Sequence, residues 1–89
     1  MPLATIRLQH PITVRGEPTQ ALCVMRRANL GDLRAASKGA DELDTLQILL
    51  SRLCEITRTE ADEIDADDVP VVIEALAPFM GGGQTTGVR

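Results

Sequence analysis

The chain has few side chains that could do chemistry. It contains one histidine, His10, just before Pro11, and two cysteines, Cys23 and Cys54, in 89 residues. General acid–base catalysis needs a titratable group held within hydrogen-bond reach of its proton. His10 has no fixed acidic neighbour in sequence and reads as a surface residue near a strand end. Cys23 and Cys54 stand 31 positions apart, with no CxxC and a single His, which is not zinc-ligand spacing. Both fall on apolar faces and are expected as buried free thiols, with a disulfide open only if the two meet. The acidic run Glu60-Ala61-Asp62-Glu63-Ile64-Asp65-Ala66-Asp67-Asp68 is rich in oxygen donors. It lacks the central glycine and the closing bidentate Glu of a calcium loop, and helix capping accounts for its acids. Gly81-Gly82-Gly83 is followed by no Lys and opens no helix, so it is no phosphate cradle. The expectation is a non-enzymatic protein with no cofactor and no metal.

What the chain does contain is a core. Asp41 to Ile56 places Leu43, Leu46, Leu49, Leu50, Leu53, Cys54 and Ile56 in one arc of roughly 160° on a helix. Glu42 is the only charge inside that arc, and Ile48 points to the polar side. So wide a stripe predicts a helix covered by two elements, with Leu46, Leu49, Leu50 and Leu53 inaccessible. A chain this short buries only about 60% of its unfolded surface. No disulfide framework or metal spacing supplements that core.

Ahead of the central helix, Thr5-Ile6-Arg7-Leu8-Gln9 alternates with period two, the mark of a half-buried strand. Pro11 removes a backbone donor and bends the strand or places it at an edge. Ile12-Thr13-Val14-Arg15 resumes the alternation, Gly16-Glu17-Pro18 is turn chemistry, and Thr19 to Met25 returns. This predicts a β-hairpin turning at residues 15 to 18. The returning strand is apolar on both faces, with Ala21, Cys23 and Met25 on one and Leu22 and Val24 on the other. Helices on one side would leave Leu22 and Val24 to another element or to a partner.

Four helix starts follow, at Asn29, Asp41, Thr57 and Asp65, each with an acid three residues on. Only Thr57-x-x-Glu60 fits the strict capping box. The first helix, about Leu30 to Lys38, is expected to offer Leu30 and Leu33 to the core. The third spans about Arg58 to Ile64. The last runs from about Asp67 to Met80, with Pro70 in its first turn and Pro78 kinking or ending it. The fold class is α+β: an N-terminal hairpin packed on three to four helices, one domain over residues 1–80, with a flexible Gly-rich tail at 81–89.

Net charge is −4, with Arg7, Arg15, Arg26, Arg27, Arg34 and Lys38 in the first half and the acids concentrated after Asp41. Self-association guided by that asymmetry and ordinary surface charge both fit it. Phe79 is the only aromatic residue, which argues against the stacking platforms of single-strand nucleic-acid binders. No apolar stretch approaches the ~20 residues of a membrane span, and MPLATIRLQH has no signal-peptide pattern. A cytoplasmic protein that does not bind membranes is the expectation.

In order and spacing, these stretches resemble the tail assembly chaperones of Mu-like contractile-tailed phages and prophages, over about Ile6 to Phe79. The matching positions are Leu8, Pro11, Ile12, Val14 and Gly16 of the hairpin. They continue with Arg26, Arg27, Asn29, Leu30, Gly31, Asp32 and Leu33 at the first helix, and with Arg52 and Leu53 ending the central one. Ile64, Asp65, Asp68, Glu74, Ala75 and Leu76 complete them. Glu55 departs from a frequent Gly and Val69 from a frequent aromatic; Pro70 and Pro78 are unusual for the family. The resemblance implies a chaperone that coats the tape-measure protein before tube polymerisation, uses no ATP and is absent from the finished virion. The expected contacts are Leu22, Val24 and Ile48, surplus to the core, with Arg26 and Arg27 at the rim. The resemblance also implies a longer product made by ribosomal frameshifting near Gly81–Gly83, reaching tail-tube subunits. The alternative from another class is a small DNA-binding regulator, its helix-turn-helix formed by the first helix and the central one after Gly39. Acids at Asp41, Glu42 and Asp44 would repel phosphates there.

Overall fold

A computed structural model describes residues 1–80. A hairpin of β1 (Ala4–Val14) and β2 (Glu17–Val24) is followed by α1 (Leu30–Ala36), α2 (Glu42–Leu53) and α3 (Arg58–Ala61). A 3₁₀ turn (Ala66–Asp68), α4 (Val69–Leu76) and a second 3₁₀ turn (Ala77–Phe79) complete the order. The expected α+β class and hairpin-plus-helices architecture are what the chain forms. The flexible-tail reading of 81–89 lies outside the described residues.

The hairpin turns on two residues. Arg15 and Gly16 both have positive φ, 51° and 82°, the pattern of the tight primed turns whose twist matches the strands. β1 and β2 pair antiparallel from Val14↔Glu17 to Ile12↔Thr19, and again from Arg7↔Ala21 to Ala4↔Val24, with an irregularity between. Around Pro11, then, a bulge leaves residues 8–11 of β1 opposite Gln20 alone. Before it, odd-numbered β2 residues oppose the inward, even-numbered residues of β1; past it, even-numbered ones do.

The bulge settles which face of β2 is covered. Leu22 and Val24 are buried beside Ile6, Leu8, Ile12 and Val14, whereas Cys23 and Met25 are exposed. Of the two readings open for Leu22 and Val24, cover by another element of the chain holds, and no partner is needed to bury them. Opposite Cys23 and Ala21 stand Thr5 and Arg7, polar residues whose burial would be costly. That face is therefore the one left open to solvent.

All four expected caps form. Asn29, Asp41 and Thr57 accept from the backbone N–H three residues on, and Asp65 from that of Asp67. Asn29 and Asp32 also make a reciprocal box, beyond the single strict box at Thr57. α3 is shorter than expected, ending at Ala61. The C-terminal helix begins as a 3₁₀ turn, takes Pro70 in its first turn, and gives way to 3₁₀ geometry at Ala77 next to Pro78. α2 stops at Leu53; Glu55 then adopts φ +59°, the left-handed conformation that usually falls to Gly after a helix.

Leu50, Leu53, Cys54, Ile56, Val72 and Leu76 pack against the buried face of the hairpin. α1 does not contribute as expected. It buries Asp32 and Ala36, while Leu30 and Leu33 remain 70% and 42% exposed. The side facing α2 is fixed by an ion-pair hub at Asp32, which turns both leucines outward.

Acids of the run 60–68 close the outer edge of β1. Glu60 accepts the Arg15 N–H at 2.8 Å, and Glu63 accepts that of Thr13 at 3.1 Å. Asp68, almost wholly buried, accepts Gln9 N–H at 2.9 Å and His10 N–H at 3.0 Å with its two oxygens. It precedes α4 but makes no side-chain cap bond, since its carboxylate is given to β1. Capping therefore explains only part of the run: Glu60, Glu63 and Asp68 satisfy a strand edge that would otherwise carry unpaired donors, and Asp62 accepts from Gln47.

Candidate functional site

Helices α2 and α4 do not meet along their full length. Between them runs a groove of about 360 Å³, lined by Leu43, Leu46, Leu49, Ile73, Leu76, Ala77 and Met80, with Glu42 and Thr45 as its polar members. Leu49 and Leu76 are buried and form its floor; Leu43 and Ile73, 64% and 51% exposed, stand at its rim. Helical spacing explains the layout. Leu43, Leu46 and Leu49 repeat every three residues on α2, and Ile73, Leu76, Ala77 and Met80 fall at i, i+3, i+4 and i+7 on the last segment. The wide arc of the central helix is therefore divided. Leu49, Leu50 and Leu53 are buried, Leu46 is half-buried rather than inaccessible, and Leu43 is left at the surface.

The expected contact residues do not assemble into one surface. Leu22 and Val24 are core residues with 2% and 0% of their surface exposed, which removes the surplus on which their selection rested. Ile48 is half-buried in a separate cleft between α1 and α2, beside Lys38, Ser51 and Arg52. Arg27 is exposed. Arg26 is committed internally: its Nη1 and Nη2 donate to Asp32 at 2.5 and 2.9 Å, and Arg52 Nε donates to the same carboxylate at 2.7 Å. The guanidinium of Arg26, helped by Arg52 and the Asn29 amide, holds the Asp32 carboxyl well below the usual carboxylate range despite its burial. The groove was legible only as an excess. The arc on α2 is broader than two neighbours cover, and Ile73 extends the same apolar surface onto α4.

The remaining reactive groups form no catalytic arrangement among the described residues. His10 Nε2 lies 3.4 Å from Asp67 and 3.9 Å from Asp65, all three exposed. Asp65 and Asp67 are the cap and first turn of the 3₁₀ segment, which accounts for them without a cation. Both cysteines are free. Cys54 is buried, and burial, with Cys23 near by, pushes its thiol up to about 11. Cys23 is exposed, against the expectation of two buried thiols, because the bulge turned its face outward. No helix among the described residues is long and apolar enough to cross a membrane.

The groove is thus an apolar surface with Glu42 and Thr45 as its polar members. The helix-turn-helix alternative finds no support, since α1 has only seven residues and α2 opens on Asp41, Glu42 and Asp44. No curated protein and no solved structure matches the chain. The family described as phage tail assembly chaperone proteins, E, or 41 or 14, matches residues 5–81. That span holds the hairpin, all four helices and both walls of the groove, and the chain belongs to this family of phage tail assembly chaperones.

Proposed function

We propose that the chain binds the tape-measure protein during tail assembly and shields its apolar helical segments, without nucleotide and without catalysis. The supporting observation is the apolar groove between α2 and α4, with Leu43 and Ile73 at its rim. Long helices with uncovered apolar stripes aggregate. A small protein with an open apolar groove protects such a stripe by covering it. The setting of this reading is the bacterial host cytoplasm, with the chaperone leaving before the virion is complete. A longer product, read in another frame after the codons of Gly81–Gly83, would join the same domain to one that recruits tail-tube subunits.

Light scattering tests the binding step. A fragment of a tape-measure protein from the same phage or prophage genome is diluted from denaturant with and without the purified chain, in the absence of nucleotide. Suppressed aggregation and a soluble complex on gel filtration are expected. Unchanged aggregation at several-fold molar excess of the chain would overturn the proposal.

A further inference from the structure

The groove carries information about its occupant. α2 and α4 are helices, so they present no unpaired backbone edge, and an extended segment laid between them would leave its own N–H and C=O groups unsatisfied against carbon. A helix satisfies those groups internally. The groove positions run from Glu42 to Leu49 on one wall and from Ile73 to Met80 on the other; at 1.5 Å per residue each wall is about 10 Å long. That length accommodates about two turns, with anchors at i, i+3 or i+4, and i+7. Charge narrows the choice further. Glu42 lines the groove and no Lys or Arg does. Asp41 and Glu74, the sequence neighbours of Glu42 and Ile73, are exposed.

We infer that the groove takes one amphipathic helix whose apolar stripe is bordered by lysine or arginine. This rests on the groove being the partner site and adds the length, conformation and charge of the bound segment. Acidic borders on the incoming helix would face Glu42 at close range. Basic borders would pair with it and draw the helix in from a distance.

Two synthetic helices of about four turns, identical in their leucine stripe but bordered by Lys in one and by Glu in the other, test this against the full chain by fluorescence anisotropy. The Lys-bordered helix is expected to bind at least about tenfold more tightly in low salt, and the gap should close toward 1 M salt, where screening acts within about 3 Å. Glu42→Lys should shrink or reverse the preference. Leu43→Asp and Ile73→Asp, at exposed positions, should weaken both peptides while circular dichroism stays unchanged. Equal affinity for the two peptides, or indifference to both Asp variants, overturns the inference. So does sedimentation showing a dimer of this chain that Ile73→Asp abolishes, because the occupant would then be a second copy.

The two readings fail separately. If the tape-measure fragment binds and the Asp variants leave that binding intact, the groove assignment falls and the chaperone reading stands. If the Lys-bordered peptide binds and the fragment does not, the reverse holds.

Discussion

Replacing Asp32 with Asn tests the hub that orients α1. The side chain has no exposed surface and accepts four hydrogen bonds, from Arg26 Nη1 and Nη2, Arg52 Nε and the Asn29 amide. Asn keeps the volume and one acceptor oxygen but turns an NH₂ toward guanidinium donors. Breaking a fully buried ion pair costs about 3–5 kcal/mol. Here both arginines keep 43% of their side-chain surface in water, so the stranded cations remain partly solvated and about 2–3 kcal/mol is the expected loss. In a domain this size, each kcal/mol lowers Tm by about 4–8 °C, so a fall of about 8–24 °C is expected at pH 7. The pH dependence carries a second signature. Asp32 is held below its unfolded value, so its contribution is fully present above an unfolded pKa of about 3.9 and fades as pH falls toward the folded one. Urea melts of the two proteins should therefore differ most at pH 5–7 and approach one another below about pH 3. A loss under about 0.5 kcal/mol at pH 7, or a difference that does not shrink in acid, would refute this account of the hub.

Leu50→Ala removes a 1%-exposed side chain from the centre of the core and should cost about 2–5 kcal/mol in urea unfolding. Glu55→Gly should raise stability by about 0.5–1 kcal/mol. It relieves roughly 1–2 kcal/mol of left-handed strain at φ +59°, partly offset by the greater chain entropy of unfolded Gly. A thiol reagent such as Ellman's at pH 8 should label Cys23 promptly and leave Cys54 unmodified until the protein unfolds; two equally fast thiols would contradict the burial of Cys54.

The local features were readable from sequence because their causes are local. Asn29, Asp41, Thr57 and Asp65 cap helices through bonds spanning two or three residues, and Pro70 marks a first turn by itself. The face of β2 was not readable, since it depends on a bulge whose amides are held by Asp68, 58 and 59 positions away. α1 misled for a similar reason. By hydrophobicity Leu30 and Leu33 belong inside, yet Asp32 sits between them and meets Arg26 and Arg52, and one fully satisfied carboxylate decides which side of a seven-residue helix turns inward. The broad arc on α2 signals surplus apolar surface, but its pairing with Ile73 across a groove depends on how far apart α2 and α4 stand, which no local pattern encodes.

The Asp68 clamp also bears on the order of folding. Extended without interruption, the pairing that starts at Val14↔Glu17 would set Leu8 opposite Cys23 and Ile6 opposite Met25, an apolar alignment complete enough to compete with the native one. During synthesis the hairpin leaves the ribosome long before the residue that arbitrates between the two. Strand alignment is thus settled late, by a contact of high sequence separation that is slow to form. In kinetic refolding, hydrogen exchange should protect the α2 amides before those of Gln9 and His10. In a fragment ending at Ile64, the hairpin amides should exchange as a mixture of two alignments; a single native pattern in that fragment would show that the bulge forms without its clamp.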